Sequence, residues 1–404
     1  MAQFEQLQAL IAALVPSNRF YAPRLAAAGV TAKIPSFAEF SGRMPFTRKD
    51  ELVRDQAAHP PYGSNLTFPL ERYTRLCQTT GTTGKPLVWL DTPESWNWML
   101  GNWTRIYHRA GLTASDRIYF AFSFGPFLGF WTAFDAATKL GFLCIPGGGI
   151  GSAERVRALI QHQATVLCCT PTYALRLAEV AHAERIDLRE GSVRTIIVAG
   201  EPGGSVPGMR ARITAVWNGA RVVDHYGMTE VGPTAFEAGE GVLRIIDESY
   251  FAEIVDPRTG AATPPGAVGE LVLTTLGREA SPLLRYCTGD LVKQKLDADG
   301  CTLDGGIIGR ADDMIVVRGV NIYPSAVEAV VRSVSGVAEY RVEVRRQESL
   351  AELALQVECE NDAVARGLER ALNAAFPLRI PVTCVAPGTL PRFEMKARRW
   401  MILD

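Results

Sequence analysis

Residues 76–89 read LCQTTGTTGKPLVW, and one short loop in them holds four threonines (Thr79, Thr80, Thr82, Thr83), two glycines (Gly81, Gly84) and Lys85. Glycines let a backbone approach closely, while hydroxyls, amides and an ammonium group hold phosphate oxygens. The spacing is not that of a Walker A loop. Only Thr82 and Thr83 separate the glycines, and Pro86 follows Lys85 where a hydroxyl residue would hold magnesium. Proline has no N–H and disfavours helical geometry in the residue before it, so no helix starts at this lysine. Read alone, the loop is equally a threonine-rich turn between two strands.

Three other stretches carry groups of the right kind. In HYGMTE (225–230), Tyr226 stands beside the bare backbone of Gly227, and Thr229 and Glu230 follow with oxygens. An aromatic face stacks on a purine, and a carboxylate holds magnesium by hard oxygen ligation. The plainer reading is a strand end that leads into a helix. TGD (288–290) ends in Asp290, which could accept from two ribose hydroxyls or simply close an ordinary Gly-Asp turn. LPRFEMKARRW (390–400) sets Lys396 among Arg392, Arg398 and Arg399, as a solvated basic face or as a cation brought to developing negative charge. PGGGIG (146–151) lacks the full GxGxxG spacing, so a Rossmann cofactor is rejected.

These groups need a scaffold. A chain of 404 residues exceeds one core, so two or three domains are expected. A formal net charge of -1 gives no bulk electrostatic case for nucleic acid or an anionic membrane. The apolar run Leu10–Val15 is too short to span a bilayer and lacks a basic flank, and a cytoplasmic location is expected. Eight cysteines without a CxxC pair, and five histidines without HExxH spacing, read as reduced thiols and no structural metal.

Residues 1–75 read mostly as helices, with Thr47 as an N-cap before Asp50 and Glu51. From DRIYFAFSF to RTIIVAGEP, short apolar runs alternate with helical ones, the pattern of a parallel sheet covered on both faces. Ligands of such sheets sit beyond the C-terminal strand ends, here SFGPF, PGGG, TPTY and AGEPGG. From about residue 240 short strands suggest a small antiparallel subdomain, and the last stretch reads β-α-β-β-α-β with Pro324 in the first turn of its helix. The fold class is therefore α/β: a large N-terminal domain of mostly parallel sheet covered by helices, then a small α+β C-terminal domain, with a boundary near 310.

In order, TTGTTGKP, AGEP, YGMTE, YCTGD, GRADDMIVVRGVNIYP and LPRFEMKARR resemble the adenylate-forming superfamily of acyl-CoA synthetases and adenylation domains. PFTRKDEL, IPGGG, CCTPTYAL and PRFEMKARR are most similar to its phenylacetate–CoA ligase branch. The resemblance implies attack of a carboxylate on the α-phosphate of ATP, release of pyrophosphate, and displacement of AMP by a thiol, usually of coenzyme A. It implies that Lys85 and the loop Thr79–Gly84 clasp the departing phosphates, and that Glu230 with Thr80 holds magnesium. Gly200, Glu201, Pro202, His225, Tyr226, Gly227 and Thr229 would surround the nucleotide, Asp290 the ribose, and Arg310 the ribose or phosphate side. It further implies residues 1–309 as the adenylation domain, 310–312 as a hinge pivoting at Asp312, and 313–404 as a mobile domain that brings in Lys396 for adenylation.

Two departures stand out: Cys287 occupies the place where relatives often have arginine, with Arg285 two residues earlier, and AFEAGEGVLRIIDE lacks the Cys and His that many relatives carry. FAFSFGPFLGFWTAF (120–134) offers an aromatic acyl pocket, with Phe122, Phe124, Gly125, Phe130 and Gly148 as candidates and a small aryl or arylacetic acid as the expected substrate. Two alternatives stay open, an acyl carrier protein as the thiol acceptor and a non-catalytic nucleotide- or acyl-binding module. The joint presence of Lys85, Glu230, Asp290 and Lys396 speaks against the second. Monomer and homodimer are both open.

Overall fold

Four helices open the chain: α1 (Gln3–Leu14), α2 (Tyr21–Ala27), α3 (Phe37–Arg43) and α4 (Lys49–Ala58). The computed structural model describes residues 3–79, 86–295, 300–318, 320–347, 350–393 and 399–403. Leu7, Leu10, Ile11 and Leu14 recur on one face of α1 and pack with Leu276 and Leu284 from the far end of the same body. Thr47 does not cap α4. Its hydroxyl donates to Leu284 O (2.8 Å) and its N–H to Arg285 O (2.9 Å), so it stitches this segment to a distant strand. The helix begins one residue later, with the Glu51 carboxylate accepting from Arg48 N (2.7 Å).

The strands β1 (Arg75–Gln78) and β2 (Val88–Asp91) pair antiparallel, with Gln78 opposite Val88, and bracket the Thr/Gly loop. Helix α5 (Pro93–Arg109) follows, with Pro93 in its first turn and Thr92 accepting from Ser95 N.

The central strands alternate with helices in chain order: β3 (Arg117–Phe120), α6 (Leu128–Lys139), β4 (Leu143–Pro146), α7 (Ser152–Gln161), β5 (Val166–Cys169), α8 (Pro171–Ala183), β6 (Thr195–Val198), α9 (Pro207–Val216) and β7 (Arg221–Met228). They form a parallel sheet in the order β4-β3-β5-β6-β7. Alternate residues go to opposite faces: Phe120, Cys168 and Ile197 join α5 and α6, whereas Tyr119, Leu167 and Ile196 join α7, α8 and α9. That explains why these strands are apolar throughout.

The antiparallel part is not a separate sheet. Strands β8 (Gly232–Gly239), β9 (Val242–Ile245), β10 (Tyr250–Val255), β11 (Val268–Thr275), β12 (Tyr286–Lys295) and β13 (Thr302–Asp304) continue from β7 in the order β8-β9-β13-β12-β11-β10. Strand β14 (Gly309–Arg310) pairs β12, with Arg310 opposite Asp290.

A smaller unit completes the chain. The hairpin of β15 (Ile315–Val317) and β16 (Val320–Ile322) leads to α10 (Pro324–Ser333), β17 (Val337–Gln347), β18 (Leu350–Cys359), α11 (Asp362–Ala375), β19 (Val382–Val385) and β20 (Trp400–Leu403). Its sheet has the order β19-β18-β17-β20, and α10 and α11 share its apolar core. The edge strand β20 was not anticipated, because WMIL at the chain end is too short to declare itself.

A fully buried ion pair crosses the N-terminal body. Arg278 and Asp91 are both fully buried, with Nε to Oδ1 at 2.8 Å and Nη2 to Oδ2 at 2.6 Å. Arg278 Nη1 also donates to the carbonyls of Thr229 (2.9 Å) and Glu230 (2.7 Å). Removing one partner leaves a buried, uncompensated charge, which costs about 3–5 kcal/mol, whereas replacing both by apolar groups is often nearly neutral. Arg278→Met alone is therefore expected to lower unfolding stability by about that amount. The double variant Asp91→Leu/Arg278→Met should recover most of the loss in denaturant titration. An equal loss in both would contradict this.

Candidate functional site

Some candidate residues lie at the C-terminal ends of the parallel strands, whereas Asp290 and Arg310 come from the antiparallel strands β12 and β14 and Thr79 follows β1. At the neck of the Thr/Gly loop, Thr79 N donates to Leu87 O (2.9 Å), and Leu87 N donates back to Thr79 Oγ1 (3.0 Å). Thr79 thus closes the loop. Thr80, Gly81, Thr82, Thr83, Gly84 and Lys85 lie outside the described residues, as does Lys396.

After β6 the chain turns through Gly200 at φ +92°, a conformation that favours glycine. The Glu201 carboxylate accepts from Thr172 N (2.8 Å) and from the Thr172 hydroxyl, which ties the AGEP turn to the first turn of α8. Pro202 follows, exposed.

Consecutive residues at the end of β7 point to opposite faces. Tyr226 Oη donates to Asp290 Oδ2 at 2.6 Å, and Arg310 Nη1 reaches Asp290 Oδ1 at 3.2 Å. Arg310 also holds both oxygens of Asp312, at 2.9 and 3.1 Å. Burial, with the Asp290 charge beside it, pushes the Tyr226 hydroxyl well above the usual phenol range. Tyr226, Asp290, Arg310 and Asp312 therefore form one polar cluster. His225 instead sets its ring 4.4 Å from Trp103, edge to face. Burial pulls its pKa down to about 4, so the imidazole is neutral near pH 7. The sequence reading grouped His225 with the nucleotide residues; the structure turns it away from Asp290.

Gly227 is required by close approach: a Cβ there would lie 2.8 Å from Gly232 O across the β7–β8 turn. Beyond it, Arg278 fixes the Thr229 and Glu230 carbonyls, and the Glu230 carboxylate is buried against Lys49 Nζ at 3.2 Å. The sequence reading missed Lys49, Asp91 and Arg278. Lys49 stands in PFTRKDEL, quoted for the branch resemblance and flanked by residues read as a helix start, but given no role of its own, and no motif marks the other two.

The aromatic stretch divides. Tyr119 and Phe120 are fully buried and serve the two cores. Phe122, Phe124, Phe127 and Phe130 are half-buried, with Phe122 stacked on Phe130 (4.1 Å, 16°) and Phe124 edge-on to Phe122 (5.5 Å, 65°). Gly125 has φ +49° and its carbonyl accepts from Trp131 Nε1 at 2.8 Å. A Cβ at Gly148 would touch Phe122 O at 3.4 Å and Phe124 at 3.7 Å, so IPGGG closes on this wall.

Arg285 does not take the place left by Cys287. Its guanidinium is held by Glu253 (2.9 Å to each oxygen) and by the Met44 carbonyl (2.6 Å), while Cys287 is buried. All eight cysteines carry free thiols, and no cluster of metal-ligating side chains occurs among the described residues. No described helix is long and apolar enough to cross a membrane.

Comparison with known proteins bears on this geometry. A family model described as AMP-binding enzyme matches residues 56–277, and one described as AMP-binding enzyme C-terminal domain matches residues 319–402. The phenylacetate-coenzyme A ligase of Thermus thermophilus is 33% identical over 97% of this chain and 93% of its own length. A solved 2-hydroxyisobutyryl-CoA ligase in its postadenylation state, with 2-HIB-AMP, superposes with a TM-score of 0.93 at 28% identity, over 99% of this chain and 89% of that one. The same ligase in its thioesterification state, with 2-HIB-AMP and CoA, gives 0.74 at 30% identity over the same shares.

One buried acid beneath the site is measurable without ligands. Asp224 accepts from Ser205 Oγ (2.6 Å) beside Glu237, and burial raises its pKa to about 7. Its folded pKa lies above the unfolded value, so the native state holds the extra proton between about pH 4 and 7, and stability falls as pH rises through that window. Asp224→Asn removes the dependence. Relative to wild type it is expected to gain stability across that window, by up to about 4 kcal/mol, and to level off above it. A difference independent of pH would refute the shift.

Proposed function

This chain belongs to the AMP-binding enzyme family, in its phenylacetate–CoA ligase-like branch, and from that premise we propose that the acid it activates is a small aryl or arylacetic acid. The enzyme is an AMP-forming acid–CoA ligase. A carboxylate oxygen of the acid attacks the α-phosphorus of ATP, and the α–β bridging oxygen leaves with pyrophosphate. The CoA thiolate then attacks the acyl carbon of the adenylate and AMP leaves. Both are displacements in which positioning and charge neutralisation do most of the work.

The observation that carries the reading is the end of β7. Tyr226 looks toward Asp290 and Arg310, a ring beside a carboxylate and a guanidinium, which suits a nucleoside with its ribose hydroxyls and phosphate. His225 looks toward Trp103, which shares its apolar cluster with Phe122 and Phe124. We therefore place the nucleotide beside Tyr226, Asp290 and Arg310, and the flat apolar acid against the half-buried rings Phe122, Phe124 and Phe130. The stacked half-buried rings suit an aryl group better than a long alkyl chain.

In this reading Glu230 is the magnesium ligand. A buried carboxylate with an ammonium at 3.2 Å is a hard oxygen donor that fits the ion, and Lys49 is the cation that must yield it. Bound magnesium would supply charge neutralisation on the polyphosphate. Thr80 and Lys85 in the loop, and Lys396 from the C-terminal unit, complete the set by their place in the motifs. We take residues 1–309 as the adenylation domain, 310–312 as the hinge and 313–404 as the mobile domain. The Arg310–Asp312 pair ties the hinge to the ribose aspartate. We assign the enzyme to the cytoplasm.

Nucleotide product analysis tests the proposal. Incubated with ATP, magnesium and a panel of phenylacetate-, benzoate- and anthranilate-like acids, the protein is expected to form AMP with at least one of them, dependent on CoA. ADP, or turnover only with long-chain aliphatic acids, would contradict it. AMP formed only when a carrier protein replaces CoA would move the acceptor to that thiol.

A further inference from the structure

The C-terminal unit meets the N-terminal body along a seam between α8 and α9 on one side and α10 with residues 390–393 on the other. Helix α9 touches α10 closely: a Cβ on Gly208 would lie 2.8 Å from Arg332 O. Arg392 reaches across from the segment that leads to Lys396. Within its own unit it is firmly held, with Nη2 and Nη1 at 2.6 and 3.0 Å from the fully buried Glu358 and Nη1 also bonded to Leu390 O. Its remaining nitrogen, Nε, lies 3.4 Å from Glu179 Oε2 on α8. Among the described residues this contact is the one ion pair between the two sides of the seam. Arg392 is therefore a rigid prong, and its grip on α8 is the weaker half of the arrangement.

Two features make that grip releasable. Glu179 Oε2 is shared with Arg176 on its own helix at 3.3 Å, so the carboxylate keeps a partner when Arg392 departs. Arg212 on α9 is partly buried at the seam, with Nη1 unpartnered among the described residues. Burial and then the nearby charge of Arg332 pull its pKa down to about 10, with Glu179 and Glu339 acting the other way, so several cations share the carboxylates of the seam. The 2-hydroxyisobutyryl-CoA ligase comparison says which arrangement this seam belongs to. With shares and identities nearly equal, the difference between 0.93 and 0.74 lies in how the parts are disposed, and this chain takes the postadenylation disposition.

We propose that the Arg392–Glu179 ion pair is a latch that positions the Lys396 segment for adenylation, and that its release lets the C-terminal unit turn for thioester formation. The role rests on the ligase reading above. Both residues are positioning residues, since neither reaches the reacting atoms. An exposed ion pair shifts an equilibrium by only about two- to fivefold, which is enough to bias two arrangements without freezing one.

Glu179→Gln keeps the shape of the side chain and removes its charge, and Gly208→Val pries the same seam by sterics. Two measurements on the full-length protein decide the matter. In hydrogen–deuterium exchange without ligands, peptides covering 207–216 and 324–333 are expected to exchange faster in both variants, while those of β17 and β18 stay as in wild type. In kinetics, acid-dependent exchange of labelled pyrophosphate into ATP is expected to fall about two- to fivefold, while CoA-dependent AMP release from supplied acyl-adenylate holds or rises. Unchanged exchange at the seam, or an equal fall in both half-reactions, overturns the latch. If wild type performs neither half-reaction, the ligase reading fails, and exchange at the seam still decides whether the ion pair holds the two parts together.

Discussion

A guanidinium with no access to water organises the candidate-site end of the N-terminal body. Arg278 meets Asp91 at the end of β2 on one side and the Thr229 and Glu230 carbonyls on the other. Asp91 terminates the strand that leaves the Thr/Gly loop, and Glu230 follows the strand end that carries Tyr226. Segments nearly 190 residues apart in the chain are thereby fixed on one rigid group. A planar fork with five donors can do this; a lysine in its place could not hold both carboxylate oxygens and two carbonyls. The desolvation cost of such a pair is large, so it adds little to stability, and its value here is the register it imposes on the two loops.

That economy explains what the sequence conveyed. The parallel sheet was legible because its strands are apolar on both faces and separated by helices of ordinary length. Candidate site residues could be named wherever a short segment holds its own chemistry, as Tyr226 and Glu230 do within HYGMTE, and the structure sets Tyr226 against Asp290 and Glu230 against Lys49. Groups that work through long-range partners could not be named. Asp91 and Arg278 lie in unremarkable stretches, and Lys49 becomes significant only when α4 lays it against Glu230. His225 could be named as a candidate but its side could not, because β7 runs on through Met228 and alternation sends it to the opposite face from Tyr226. Thr47 misled for a related reason: a distant strand offered its hydroxyl a buried carbonyl, which outcompeted the local cap.

The two units are stabilised differently, and the difference suits their work. Within the N-terminal body the decisive polar contacts are buried, from Asp91–Arg278 to Tyr226–Asp290. Across the seam the contacts are partly exposed and shared between competitors, as Glu179 is between Arg176 and Arg392. Buried, fully paired groups define one geometry, whereas half-exposed ion pairs can be exchanged at little cost. On the proposed reading, a site held rigid during displacement and a unit that moves between displacements call for such a division.

The most direct test of this account is pyrophosphate exchange into ATP by the Asp91→Leu/Arg278→Met double variant, after circular dichroism and thermal melting show that it is folded. If the buried pair sets the register between the loop and Glu230, acid-dependent exchange falls by at least about a hundredfold, the cost of a small misplacement of reacting groups. Exchange within about twofold of wild type in the folded variant would show that the loop and Glu230 are positioned by other means.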